Sequence, residues 1–291
     1  MDEQVFLNGH IVYAAEASVS VFDAGFTHAA GLFETLRAYN GRVMRLKEHV
    51  RRLADSAATL ELQIDVDEAA IEQGINQLLE ANSLSDARLR WMATPGDVPR
   101  PGQTLTNPIP QTTLITATKV QTYPPQMYEQ GMRVCICPYK QNRLDPLAGH
   151  KTLAYLPRLL AMKEAAGRHC HEALWFNTDN LLAEGSVSNV FIVKDGKLLT
   201  PPINTPVLPG VVRGVVIELA EAEGISVEQQ PVDINALLAA DEVFLTGSVL
   251  EIMPVTSIEK HIVGEGVPGA MAKRLAQRYK ERVEKECGIE S

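Results

Sequence analysis

The chain has 291 residues, 45% of them hydrophobic, a net charge of −9 and a pI near 5.3. That length and apolar content suit two domains with a sizeable core and exclude a largely disordered chain. The acidic balance, without an extended basic run, excludes an electrostatic footprint for nucleic acid and leaves a small molecule as the expected partner.

In chain order, Gln4 to Leu7 and His10 to Tyr13 flank Asn8-Gly9, and Phe33 to Tyr39 and Arg42 to Leu46 flank Asn40-Gly41. Asn-Gly between apolar runs predicts hairpins, because both residues tolerate positive φ. Helical spacing of apolar residues predicts helices over Lys47–Leu62 and Asp67–Ala81. Strands are expected over Ala87–Ala93 and Thr112–Thr118, separated by Pro95–Pro110, a Pro- and Gly-rich loop long enough to suggest a functional or interface role. Thr122-Tyr123-Pro124-Pro125 reads as a stiff linker. Beyond it come a helix near Leu153–Gly167, strands near Glu172–Phe176 and Asn189–Val193, and a helix over Val211–Glu223. Strands at Ile225–Gln229 and Asp241–Leu245 and a charged helix near Pro268–Glu286 follow. The mixed order predicts an α+β (mixed α/β) chain with an N-terminal domain over 1–118, a linker over 119–126 and a C-terminal domain over 127–291.

Cys135, Cys137, Cys170 and Cys287 show neither disulfide-scaffold density nor a repeated metal-binding spacing, so no metal is expected. Cys135 and Cys137 would share one strand face. The start Met1-Asp2-Glu3-Gln4 lacks a basic segment followed by an apolar run, and no apolar stretch is long enough for a bilayer; the expectation is a cytoplasmic protein without membrane contact.

Lys151, in Gly149-His150-Lys151-Thr152-Leu153-Ala154-Tyr155-Leu156, is one of eleven lysines and by residue type alone a solvated charge. Glu184, in Ala183-Glu184-Gly185-Ser186-Val187-Ser188-Asn189-Val190-Phe191, is by type alone an exposed turn residue. These two segments, followed by Leu208-Pro209-Gly210-Val211-Val212-Arg213 and Asp241-Glu242-Val243-Phe244-Leu245-Thr246-Gly247-Ser248, resemble in this order the class IV aminotransferase family. Branched-chain aminotransferases, D-amino-acid aminotransferases and aminodeoxychorismate lyases belong to it, and the resemblance covers nearly the whole chain.

The resemblance implies a two-domain, fold type IV, D-amino-acid aminotransferase-like enzyme with pyridoxal 5′-phosphate between its domains. Lys151 would hold the cofactor aldehyde as a Schiff base and move the substrate's α-proton, and Glu184 would face the pyridine nitrogen and keep the ring an electron sink. Phosphate binding would fall to Arg52 in His49-Val50-Arg51-Arg52-Leu53, to Gly210, Val211 and Val212 at a helix start, and to Gly247 and Ser248. Many relatives have threonine where this chain has Val212. Tyr155 is a candidate for the ring hydroxyl, Asn189 for fixing the local backbone. His28 and His150 are read as a rim residue and a neighbour of the lysine, without direct roles.

For substrate, the resemblance implies contacts at Phe33, Thr35 and Arg90, with Arg90 capturing a carboxylate. Branched-chain enzymes have tyrosine where Arg88 stands and glycine at the position of Thr35; lyases often have threonine there. D-amino-acid enzymes have an arginine where Pro95 precedes Gly96. Arg88 and Arg100 are open alternatives for a further carboxylate contact. Phe33, Trp91 and Leu250 are read together as an apolar side-chain pocket. The expected reaction moves an amino group between an apolar, branched-chain-type amino acid and a 2-oxo acid such as 2-oxoglutarate. The alternative is a lyase forming 4-aminobenzoate and pyruvate, and after it a D-amino-acid aminotransferase. A homodimer is implied, with the Pro95–Pro110 loop completing the partner's site.

Overall fold

A computed structural model describes residues 3–99 and 109–289. The chain divides into two compact units, Met1–Gln121 with His150–Ala154 and Val283–Ser291, and Thr122–Gly149 with Tyr155–Arg282. The lysine segment therefore belongs to the first unit, although it lies inside the 127–291 range.

The first unit contains β1 (Gln4–Leu7), β2 (His10–Tyr13), α1 (Ala24–His28), β3 (Leu32–Tyr39), β4 (Arg42–Val43), α2 (Leu46–Thr59), α3 (Glu68–Ala81), β5 (Ala87–Thr94) and β6 (Thr112–Lys119). Its strands form one antiparallel sheet in the order β2-β1-β6-β5-β3-β4. Both expected hairpins are present, with positive φ at Asn8, Gly9, Asn40 and Gly41, the backbone that a tight two-residue turn demands. Successive strand residues alternate between faces. Leu32, Leu36, Leu89, Trp91 and Ile115 pack with Leu53 of α2 and Ile75 and Leu78 of α3 in one apolar cluster. Each such buried side chain contributes roughly 1.5–3 kcal/mol relative to exposure. Phe33, Thr35, Arg37, Arg88, Arg90 and Met92 occupy the alternate positions and so line the other face.

The helix expected near Leu153 begins three residues later. Phe33 donates its amide to the Lys151 carbonyl and Leu153 donates to Gly31 O, each at 2.9 Å, so this stretch runs extended beside β3. Pro157 then sits in the first turn of α5 (Leu156–Gly167), where a missing amide is tolerated.

In the second unit α4 (Pro125–Gln130) precedes β7 (Met132–Gln141), and α5 leads to β8 (Glu172–Asn177), β9 (Leu182–Gly185), β10 (Asn189–Lys194) and β11 (Lys197–Thr200). Then come α6 (Val211–Ala222), β12 (Val227–Gln229), α7 (Ile234–Leu238), β13 (Glu242–Gly247), β14 (Glu251–Ile258) and β15 (His261–Ile262); α8 spans Ala270–Cys287. The sheet order is β12-β11-β10-β13-β14-β7-β8-β9, with β15 beside β14. It is mixed: β11 pairs β12, and β7 pairs both β14 and β8, in parallel, while the other pairs are antiparallel. Cys135 and Cys137 do share a buried cluster, with Ala161, Ala165, Cys170 and Trp175. β14 has no counterpart among the expected strands. It carries Pro254, a residue that removes a ladder donor and argues against a strand at the sequence level. Among the described residues no helix is long and apolar enough to cross a membrane.

Asp23 closes the base of the segment between β5 and β6. Its Oδ2 accepts from Thr94 Oγ1 and Thr112 Oγ1, and its Oδ1 from the Gly25 amide, each at 2.7 Å. Hydrogen bonds to a charged acceptor contribute more than neutral ones, and removing it strands buried donors. Asp23→Ala is therefore expected to cost about 2–3 kcal/mol in urea denaturation, and Asp65→Ala, at an exposed position, much less.

Candidate active site

Two constellations emerge, one in each unit. In the first, the pairing of residues 150–154 with β3 places Lys151 Nζ 4.5 Å from the centre of the Phe33 ring. The Arg90 guanidinium stacks on the same ring at 3.2 Å, and its Nη1 makes a long hydrogen bond of 3.4 Å to Thr35 Oγ1. An amine able to bond an aldehyde and a guanidinium able to fork onto a carboxylate thus share one aromatic ring.

Glu34, on the helix side of β3, is fully buried among charges. Arg52 of α2 donates to it through Nε at 2.8 Å and Nη2 at 2.5 Å, and His49 Nδ1 lies 2.8 Å from Oε2. Burial pushes the Glu34 carboxyl up, but Arg52 and His49 outweigh burial and bring it from 4.5 down to about 2. For His49, burial lowers the pKa and Glu34 recovers only part; Arg52 and Lys151 add to the depression. The ring is thus neutral near pH 7 and donates from Nδ1, because the carboxylate can only accept. His150 Nδ1 lies 3.0 Å from Ser56 Oγ, and burial lowers its pKa too. His28 is exposed, with its ring on Thr27 Oγ1.

In the second unit, Glu184 is the last residue but one of β9 and is buried. Arg158 donates to its Oε1 at 2.5 Å and the Leu208 amide donates to Oε2 at 3.0 Å, so both oxygens are oriented. Arg158 also donates to Gly185 O and stacks over Trp175 at 4.6 Å. Beneath the turn after Glu184 lies Glu172, which accepts from the amides of Ala173, Ser186 and Val187 and from Ser188 Oγ. Burial raises its pKa, and the four donors offset only part of that.

Tyr155 OH donates to Ser186 O at 3.2 Å. Gly210 is the N-cap of α6, which Val211 and Val212 open, and their amides, in the first turn, have no acceptor within the helix. A Cβ at Gly210 would fall 1.9 Å from Asn189 Oδ1, while Asn189 Nδ2 donates to Leu208 O at 2.9 Å. Asn189 thus ties β10 to the turn before α6. Gly247 ends β13, and Ser248 follows in a turn. The adjacent Thr246 Oγ1 is buried without a hydrogen-bond partner among the described residues.

One expected grouping is corrected. Trp91 does not join Phe33 in a pocket, because Phe33 is opposite Met92 and Trp91 opposite Glu34; the one-residue offset turns Trp91 to the helix side, where it packs in the first unit's core. Leu250 packs in the second unit's core. Arg100 and most of the 95–110 loop lie outside the described residues. Glu34, His49, Arg158 and Glu172 were not anticipated. Arg158 carries a faint signal, since a cation in the first turn of a helix opposes the macrodipole and wants another reason to be there.

The Glu34 cluster makes the first unit acid-sensitive. Both Glu34 and His49 bind protons less readily folded than unfolded, so their contributions are present at high pH and lost on acidification. Loss begins as the pH falls below 6.5 for His49 and below 4.5 for Glu34, continuing toward about 2. Glu34→Gln is expected to lower stability at pH 7 by about 3 kcal/mol, with the gap from wild type narrowing below pH 4.5. Urea midpoints measured from pH 7 to pH 3 check this.

The family model "Amino-transferase class IV" matches residues 31–258. A Methanocaldococcus jannaschii protein provisionally named a branched-chain-amino-acid aminotransferase is 35% identical over 281 residues, 96% of each chain. The D-alanine aminotransferase of Bacillus licheniformis is 31% identical over 94% of each chain. The crystal structure of the branched-chain amino acid aminotransferase from Thermobaculum terrenum, in its PLP-bound holo form, superposes with a TM-score of 0.85 at 28% identity, covering 98% of this chain and 94% of that one. The expected mixed α/β, fold type IV architecture is therefore the one observed, and the chain belongs to the class IV amino-transferases.

Proposed function

We propose that the chain is a pyridoxal 5′-phosphate-dependent aminotransferase that exchanges an amino group between a branched-chain-type amino acid and a 2-oxo acid such as 2-oxoglutarate. The observation that carries this reading is the shared Phe33 ring, with the Lys151 amine on it at 4.5 Å and the Arg90 guanidinium at 3.2 Å. The residues present fit the cofactor. Lys151 would hold it covalently, Glu184 would face its ring nitrogen with both oxygens already oriented, and Tyr155 would face the ring hydroxyl. The amides of Val211 and Val212 beyond Gly210, with Gly247, Ser248 and Arg52, would hold its phosphate. The buried, unpartnered Thr246 hydroxyl beside Gly247 supports a polar ligand there.

When bound, the cofactor supplies an electron sink for the carbanion left at the substrate α-carbon. The protein's part is positional. Arg90, with Thr35, orients a substrate carboxylate over Phe33, so the α-hydrogen is presented to Lys151 Nζ. Lys151 Nζ takes that proton and redelivers it, and its anchoring in extended backbone limits where it can deliver. The same reading includes a homodimer, supported by the Pro- and Gly-rich composition of residues 95–110; a variant lacking that segment that remains a fully active monomer would remove the dimer from it.

Addition of L-leucine should discharge the visible absorbance of the cofactor-loaded enzyme, and 2-oxoglutarate should restore it. Discharge by D-alanine alone, or pyruvate release from aminodeoxychorismate, would replace this reading by the D-amino-acid or lyase one. Borohydride reduction followed by peptide mapping should place the cofactor mass on the Lys151 peptide. Glu184→Gln is expected to lower kcat by about 100-fold while cofactor affinity changes far less.

A further inference from the structure

Arg158 lies in the first turn of α5, where a cation opposes the helix dipole. The placement needs an offsetting contact, and the guanidinium finds one on both edges and on one face. Nη2 donates to Glu184 Oε1 at 2.5 Å and, more weakly, to Gln141 Oε1 at 3.4 Å, while Nη1 donates to Gly185 O at 3.0 Å. Gln141 is itself tied, its Nε2 donating to Pro206 O at 2.7 Å. The Arg158 Cζ lies over the Trp175 ring at 4.6 Å. Trp175 is the direct register partner of Glu184 across β8 and β9, so ring and carboxylate share a sheet face and the arginine spans both.

The backbone around Glu184 has a fastening of its own. Glu172 accepts from the amides of Ser186 and Val187 and from Ser188 Oγ, and the Gly185 amide donates to Ser188 O at 2.7 Å. A Cβ at Gly185 would fall 2.2 Å from Ser188 Oγ, so the turn is closed as tightly as glycine allows. What Arg158 adds is the direction of a side chain. A carboxylate offers about four acceptor sites on its two oxygens; the Leu208 amide takes one on Oε2 at 3.0 Å and the guanidinium one on Oε1. With both oxygens tied, the sites that remain have one orientation. An ion pair withdrawn from water is weak evidence for a role in stability, since apolar residues of like volume serve as well. Directional hydrogen bonding from a rigid fork is what arginine supplies and lysine does not.

We propose that Arg158 is a positioning residue for the cofactor: by holding Glu184 Oε1 it turns the free acceptor sites of that carboxylate toward the pyridine nitrogen, and so sets how strongly Glu184 bonds it. This rests on the reading that Glu184 faces that nitrogen. A carboxylate free to rotate would meet the ring in the productive orientation only part of the time, which is the loss that a rigid supporting residue prevents. Arg158 acts through Glu184, and the α-proton remains the work of Lys151.

The test is binding of pyridoxal 5′-phosphate and of its deaza analogue, in which CH replaces the ring nitrogen, to the cofactor-free protein, followed by cofactor absorbance. Phosphate and aldehyde are common to both compounds, so the ratio of their affinities isolates the bond to the nitrogen. Wild type should prefer the natural cofactor by about 10-fold. Glu184→Gln and Arg158→Leu should each lose most of that preference with affinity for the analogue unchanged. Arg158→Lys should keep part of it, and Arg143→Ala, in an exposed ion pair with Asp179 of the same unit, all of it. In steady state, Arg158→Leu should lower kcat by about 10-fold with little change in the KM of the amino donor. A preference lost in Glu184→Gln but undiminished in Arg158→Leu overturns the positioning role while the placement of Glu184 stands. Equal affinity of the wild type for the two compounds, or a preference undiminished in Glu184→Gln, overturns that placement and the positioning role with it.

Discussion

Two main-chain hydrogen bonds, Phe33 N to Lys151 O and Leu153 N to Gly31 O, determine what the first unit can do. They hold a short piece of late sequence as an extended edge beside β3, and α5 cannot start until that pairing has ended at Leu156. A lysine on a free loop would sample many positions, with a side-chain entropy cost on ordering of up to about 2 kcal/mol. A lysine whose backbone is locked to a strand meets the Phe33 ring from a fixed origin. Sites built on regular elements are positioned more tightly than sites on loops, and here the element is borrowed from a neighbouring stretch of chain.

Three buried carboxylates show three ways of satisfying the same charge. Glu34 is matched by a guanidinium and a neutral imidazole, and the attraction exceeds the burial cost, so its proton is lost down to a pH of about 2. Glu172 has four neutral donors and no cation; burial wins and its pKa rises. Glu184 has one cation and one amide, which direct its two oxygens separately. The first arrangement locks strand to helix, the second gathers the turn of Ser186 to Ser188 into one geometry, and the third aims a carboxylate. Removing any single partner would leave a buried group unmatched, which is why such networks behave as units.

How much of this was legible in the sequence depended on whether the governing contact was local. Both Asn-Gly hairpins and the helices near α2 and α3 were readable, because turn chemistry and helical spacing are carried by neighbours in the chain. Lys151 and Glu184 were readable only as members of an ordered set of motifs, since neither residue type signals chemistry by itself. Arg158 and Glu172 were not readable: their partners lie 26 and 14 residues away, the first reached from helix α5 and the second beyond the β8–β9 pairing. The grouping of Phe33 with Trp91 failed for the same reason. Which face a strand residue takes is set by register, and register is a long-range property.

That register is where fold and chemistry become one constraint. In β3 the alternation sends Leu32, Glu34 and Leu36 toward the helices and Phe33, Thr35 and Arg37 away from them. Glu34 thereby meets Arg52, and the charge on that face is neutralised inside the molecule. Arg37 meets Arg88 on the other face, as direct register partners. A one-residue slip would bury arginine among Leu53 and Leu78 and expose the core, so the packing energy of the apolar face fixes the position of the arginines opposite it. The sheet can hold a destabilising pair of like charges because the cost of moving either strand is greater than the repulsion between them.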